Sequence, residues 1–151
     1  MTTQTINETD TARSIDALNA LLRGELSAVE TYEQALAKFD EAIPQELRDC
    51  LRSHRMRTER LTERIVELGG TPAEGSGLWG AFARLFEGSA TLLGRASTVA
   101  ALEEGEDHGL ELYENRLKDL DPESLRLVGG ELQFDQRATH AMVRELKNRM
   151  S

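Results

Sequence analysis

Two carboxylates stand where helices should bury apolar side chains. Glu25 lies in the stretch "GELSAVETYEQAL" (Gly24 to Leu36), and Glu106 lies in its echo, "GEDHGLELYENRL" (Gly105 to Leu117). Aligned without gaps, the two share Gly, Glu, a second Glu, Tyr, Glu and Leu at the same offsets. Glu25 follows Leu22 by three residues and precedes Val29 and Tyr32 by four and seven; Glu106 follows Leu102 by four and precedes Leu110 and Tyr113 by four and seven. These offsets put each glutamate on the apolar stripe of its helix. An ionised carboxylate there is costly unless it is ion-paired, hydrogen-bonded or bound to a metal. The chemistry on offer is therefore metal ligation by glutamates from two helices, or a buried polar core held by ion pairs.

Other residues sort around that pair. His54 shares a stripe with Leu47, Leu51 and Leu61, and His140 lies at the edge of the last apolar stripe. Each is a candidate ligand, or a histidine satisfied within the fold. His108 follows Glu106 by two and is expected at the surface. Tyr32 and Tyr113 are expected to pack inside, with hydroxyls that need a partner. Cys50 has no neighbouring motif and reads as a structural thiol. No serine elbow, phosphate-binding glycine loop or cysteine with a base nearby supports nucleophilic catalysis.

Positioning these groups takes long helices. Ala, Leu, Glu and Arg dominate the chain, and strand-like runs between turns are missing, so the expected class is all-α. Residues 1–10 read as a polar tail and 11–151 as one bundle domain, long enough to bury a real core. Asp10 or Thr11 caps a first helix with Ile15, Leu18, Leu22, Val29, Tyr32, Leu36 and Phe39 inward. Pro44 ends it and suits the first turn of a second, through Leu47, Leu51, Leu61, Ile65 and Leu68, which stops at Gly69-Gly70. A third helix carries Val99, Leu102, Leu110, Tyr113, Leu117 and Leu120. Asp121 as N-cap and Pro122 as first residue start a fourth, through Leu125, Val128, Leu132, Met142 and Leu146. Residues 71–96 form one long crossover, in which Trp79, Phe82 and Phe86 mark a short extra helix. It either covers the bundle or offers a protein contact.

Charge narrows the partners. The net charge is -9, and a negative field opposes binding to a phosphate backbone. The arginines at 48, 52, 55, 57, 60 and 64 are interleaved with Glu59, Glu63 and Glu67, as on a solvated helix face. Nucleic acid is not expected as a partner. The polar start "MTTQTINETD" has no apolar signal segment, and no run is long enough to span a membrane. A cytoplasmic protein that forms a homo-oligomer is the expectation.

"GELSAVETYEQAL", "RIVELGGTP", "SGLWGAFARLF" and "LEEGEDHGLELYE" together resemble a bacterial ferritin-like four-helix-bundle family of unknown function, over about residues 14 to 148. More distantly, "ELSAVETY" is similar to the first-helix segment of bacterioferritin, where its leading Glu is an iron ligand. The resemblance implies an all-α, ferritin-like four-helix bundle: two helical hairpins joined by one long crossover containing a short extra helix. It also implies that Glu25 and Glu106 occupy the single-glutamate ligand positions of helices one and three.

Helices two and four depart from that pattern, because neither carries Glu-x-x-His. Counting back from Gly69-Gly70 puts His54 in the Glu position and Arg57 in the His position, and helix four offers Asp135, Gln136 and His140. An arginine in a ligand slot repels a second divalent ion. Measured from the hairpin turns, Glu25 faces Arg57 or Thr58 more closely than His54, which makes Arg57 a candidate ion-pair partner. Two readings follow. In one, Glu25, His54, Glu106 and His140 form an incomplete site for Fe, Mn or Zn, with enzymatic activity left open. In the other, a metal-free polar core holds a structural or partner-binding bundle that takes no cofactor.

Overall fold

The computed structural model describes residues 8–39, 42–76 and 94–150. Among them the chain forms α1 (Glu8–Ala37), α2 (Gln45–Glu67) and α3 (Arg95–Arg116), then a 3-10 turn (Leu117–Asp119). The last arm is α4 (Pro122–Leu127), a π turn (Val128–Leu132) and α5 (Gln133–Met150). No strand occurs among the described residues, and none of their helices is long and apolar enough to cross a membrane. The expected extra helix at Trp79, Phe82 and Phe86 lies outside the described residues.

The punctuation follows local chemistry, with small shifts from expectation. α1 is helical from Glu8, earlier than a cap at Asp10 or Thr11 implies, and Glu8 and Asp10 sit in its first turn, where carboxylates complement the helix dipole. Pro44 takes the N-cap position of α2 instead of its first turn, with its carbonyl accepting from Leu47 N at 3.1 Å. α2 ends in a Schellman motif: Gly70 N donates to Ile65 O and Gly69 N to Val66 O, both at 2.9 Å. That closure needs the left-handed backbone of Gly69, whose φ is +82°. Asp121 caps α4 through Ser124 N at 3.2 Å, with Pro122 as its first residue.

α1 packs along α2, and α3 packs along the fourth arm; α1 also meets α3, and α2 meets α5. Two apolar clusters fill the bundle. One contains Tyr32, Phe39, Leu47, Leu51, Val99, Leu102, Val143 and Leu146. The other contains Leu18, Leu21, Leu22, Leu61, Ile65, Tyr113, Val128 and Leu132. Val143, not Met142, holds the buried position on α5; Met142 is half-buried beside it. The π turn, which holds Gly129 and Gly130, inserts into the helical phase just before this stretch. Beyond it, Gln136, Thr139, Val143 and Leu146 form the inward face.

A polar lock joins α1, α2 and α4. Asp121 accepts from Ser14 Oγ at 2.5 Å and Arg64 Nη2 at 2.9 Å, while Arg64 Nε donates to Ser124 Oγ at 2.9 Å. Burial pushes the Asp121 carboxyl up, but bonds from Ser124, Ser14 and Arg64 outweigh it and hold the pKa at about 2. Its stabilisation is therefore present above the ordinary value of 3.8 and lost as pH falls towards 2. Asp121→Ala should cost about 2 kcal/mol, the upper end for losing a cap. Asp121→Asn should recover part of that loss, both read from urea midpoints at pH 7.

Candidate functional site

Between the two apolar clusters lies one buried polar centre, assembled from all four arms. α1 supplies Glu25 and Tyr32, α2 supplies His54 and Arg57, α3 supplies Glu106 and Tyr113, and α5 supplies Gln136 and Thr139. All eight side chains are buried, and Arg57 is 0% exposed. Three of the four residues singled out as ligand candidates meet here. The fourth, His140, faces outward on α5, with Nε2 2.5 Å from Asp107 Oδ1. His108 is exposed, as expected.

His54 bridges the two glutamates. Its Nδ1 lies 2.5 Å from Glu25 Oε2 and its Nε2 lies 2.7 Å from Glu106 Oε1. A carboxylate only accepts, so both ring nitrogens must carry a proton and the ring is an imidazolium. Burial acts most strongly on this group and lowers its pKa, but Glu25 and Glu106 together overturn that and hold it above the ordinary 6.5. Depth counting from the turns expects Arg57 beside Glu25, and it does pair there, Nη1 to Oε1 at 3.2 Å; His54, counted as too far, reaches Glu25 as well. α1 ends at Ala37, so Glu25 lies 12 residues (37 - 25) from the end of α1, and His54 lies 9 (54 - 45) from the start of α2. The remaining offset of three residues is under one turn, which the imidazole spans.

Arg57 completes the charge balance. Its Nη1 donates to Glu25 Oε1 at 3.2 Å and also to Gln136 Oε1. Nη2 donates to Thr139 Oγ1 at 3.1 Å and lies 3.4 Å from His54 Nε2, and Nε donates to the carbonyl of Ser53 at 3.4 Å. Two carboxylates and two side-chain cations leave the centre neutral. Burial alone raises the pKa of both glutamates; Arg57 then His54 bring Glu25 below its usual value, and His54 leads the same effect on Glu106.

The tyrosines cross between the repeats. Tyr32, seven residues after Glu25, donates to Glu106 Oε1 at 2.7 Å; Tyr113, seven after Glu106, donates to Glu25 Oε1 at 2.8 Å. Burial, then the adjacent carboxylate, pushes each phenol well above its ordinary pKa, so both remain protonated donors. Glu106 Oε2 is closed by Gln136 Nε2 and Thr139 Oγ1, each at 2.8 Å. Gln136 Nε2 also donates to the Glu106 carbonyl at 2.9 Å. Cys50 is fully buried beside the centre, its Sγ 3.8 Å from the Thr139 carbonyl. Burial, then the Glu106 charge, lifts its pKa to about 12, so it stays a thiol.

Of the helix-four candidates, Gln136 is the one that turns inward, and Thr139 joins it although the sequence reading does not single it out. Their signal was a polar pair on the stripe Leu132, Gln136, Thr139, Val143 and Leu146, at spacings of four, three, four and three. Gly109 on α3 makes room for that pair. A Cβ there would stand 2.4 Å from Gln136 Nε2 and 2.9 Å from its Cδ. Gly109→Ala should therefore destabilise by about 1–3 kcal/mol through overpacking, although alanine is the better helix former. Thermal unfolding should show the loss.

The linkage signs give this centre a pH window. His54 is raised, so its contribution is complete below pH 6.5 and is lost as pH rises through the folded value. Glu25 and Glu106 are depressed, so theirs is complete above pH 4.5 and is lost as pH falls through the folded values. The centre should stabilise most between about pH 4.5 and 6.5. In His54→Gln the decline in urea midpoint on the alkaline side should flatten.

A metal at this centre needs free carboxylate lone pairs facing it and no fixed cation beside it. Here Glu25 Oε1 accepts from Tyr113 and Arg57, and Glu25 Oε2 accepts from His54. Glu106 Oε1 accepts from Tyr32 and His54, and Oε2 from Gln136 and Thr139. An imidazolium stands between the glutamates, with a guanidinium beside it. The residues present do not fit a resident ion.

The pattern of a family described as a domain of unknown function (DUF2383) matches residues 13–119. Among solved structures, the chain is similar to one titled as ferritin-like, diiron-carboxylate proteins from Bacillus anthracis str. Ames. That likeness has a TM-score of 0.68 and 18% identity, and it covers 93% of this chain and 99% of the other. No curated protein matches the chain. The all-α, ferritin-like four-helix architecture thus follows from the helices and from the neighbour alike.

Proposed function

We propose, from the premise that this chain belongs to the DUF2383 family and has a ferritin-like bundle, that its centre works without a resident metal. On this reading the protein is a non-catalytic structural or partner-binding bundle. The observation that carries it is Arg57, fully buried and bonded to Glu25, Gln136 and Thr139 beside the His54 imidazolium. Di-iron bundles use a glutamate from each of two helices and Glu-x-x-His from each of the other two. Here the glutamates of α1 and α3 meet two side-chain cations instead, which supply from within the chain the positive charge that ions supply in such centres. Association of identical chains, with Trp79, Phe82 and Phe86 as a contact, is part of the proposal. Sedimentation velocity of the wild type against a triple alanine variant at those positions tests it.

A resident Fe, Mn or Zn ion on Glu25, His54 and Glu106 is the competing reading. It needs His54 deprotonated and Arg57 withdrawn, both against the local charge. Adding Fe(II), Mn(II) or Zn(II) to tag-free protein separates the two. A ligand that binds only the folded state raises stability by RT ln(1 + [L]/Kd). Wild type and Glu25→Gln should bind the same number of ions and gain the same stability from them. An ion bound by wild type at micromolar concentration and lost in Glu25→Gln contradicts the proposal.

A further inference from the structure

The three-residue group formed by Glu103 and Asp107 on α3 and His140 on α5 has a different character from the centre. One ligand atom from each lies within 4.8 Å of the others. Metal-ligand bonds of about 2.0–2.2 Å put neighbouring ligand atoms roughly 3–4 Å apart, so small side-chain adjustments close this set around one ion. Glu103 and Asp107 stand at i and i+4, where like charges oppose helix formation and a bound cation relieves the repulsion. The exposed Glu104 beside them adds one further negative charge.

A second observation concerns the buried Oε2 of Glu103. It is the one buried side-chain N or O among the described residues with no hydrogen-bond partner. Lys147 Nζ lies 3.0 Å away and meets its charge, but not in hydrogen-bond geometry. Lys147 is 45% exposed and Asp107 is 58% exposed. The ammonium can swing into water, and an ion can enter without opening the bundle. His140 already holds its Nε2 against Asp107 Oδ1.

The geometry points to a mononuclear divalent-cation site at Glu103, Asp107 and His140, on the outer α3–α5 face. Two carboxylates and one imidazole suit Mn(II), Fe(II) or Zn(II), with the remaining positions taken by water. The site is separate from the neutral centre and stands whether or not the centre takes metal.

Mn(II) and Zn(II), added to chelator-treated, tag-free protein, test it by equilibrium dialysis and thermal unfolding. Wild type and Glu25→Gln should each bind one ion per chain at micromolar concentration and melt at higher temperature with it. Asp107→Asn and His140→Gln should weaken binding by about tenfold or more, while their metal-free melting stays near wild type. Lys147→Gln should tighten binding, since it removes the competing cation. Mn(II) should broaden the ring resonances of His140 before those of His54. No binding at micromolar concentration, or binding unchanged in both ligand variants, overturns the site. Binding lost in Glu25→Gln but kept in Asp107→Asn overturns it and the metal-free centre together.

Discussion

Arg57→Met lowers the free energy of unfolding by about 3–5 kcal/mol, the cost of removing one partner from a buried ion pair. Methionine restores much of the volume, so the loss is electrostatic. It leaves Glu25 short of one of its two cationic partners and leaves Gln136 Oε1 and Thr139 Oγ1 without the donor that now faces them. Arg57→Lys recovers only part of this. One ammonium cannot reproduce a planar fork that spans α1 and α5. Urea titration of the three proteins at pH 6 reads the order wild type, Lys, Met. Equal midpoints for wild type and Met would sink the ion-pair account.

Glu106→Gln is the second large effect, also about 3–5 kcal/mol. Four side-chain donors converge on this carboxylate: Tyr32 and His54 on Oε1, Gln136 and Thr139 on Oε2. An amide turns one of those oxygens into a donor, so one pair of donors meets N–H whichever way the amide lies. His54 also loses one of the two charges that hold its proton. The variant should therefore be destabilised, and its residual stability should decline at lower pH than in wild type. Paired with His54→Gln, the two losses should be far from additive, because the residues share one network.

The bundle was legible because each level of the sequence agreed with the others. The spacing of leucines, the Asp121-Pro122 start and the Gly69-Gly70 stop each mark one element, and the observed caps use those residues. The duplicated glutamates announced a buried polar centre, and Arg57 announced an ion pair within it. What escaped was phase. The π turn at Val128–Leu132 shifts the face that follows it, and an unbroken helical period led to Met142 where Val143 is buried. Thr139 stands seven residues after Leu132, on the right face, but a count of apolar residues passes over a threonine. Glu25 was counted about two residues too deep because α1 stops at Ala37, before Phe39, so His54 lies nearer its level than expected. The crossed bonds of Tyr32 and Tyr113 depend on three-dimensional pairing of the repeats, which offsets along one helix cannot contain.

The central claim is that His54 is an imidazolium held between two carboxylates, in place of a metal. Nitrogen-15 NMR of the ring in chelator-treated protein tests it directly, before and after addition of Zn(II). The prediction is that both ring nitrogens of His54 carry protons at pH 7 and that zinc leaves their resonances in place. A ring with one bare nitrogen at pH 7, or one whose nitrogen shifts on zinc binding, would contradict the account.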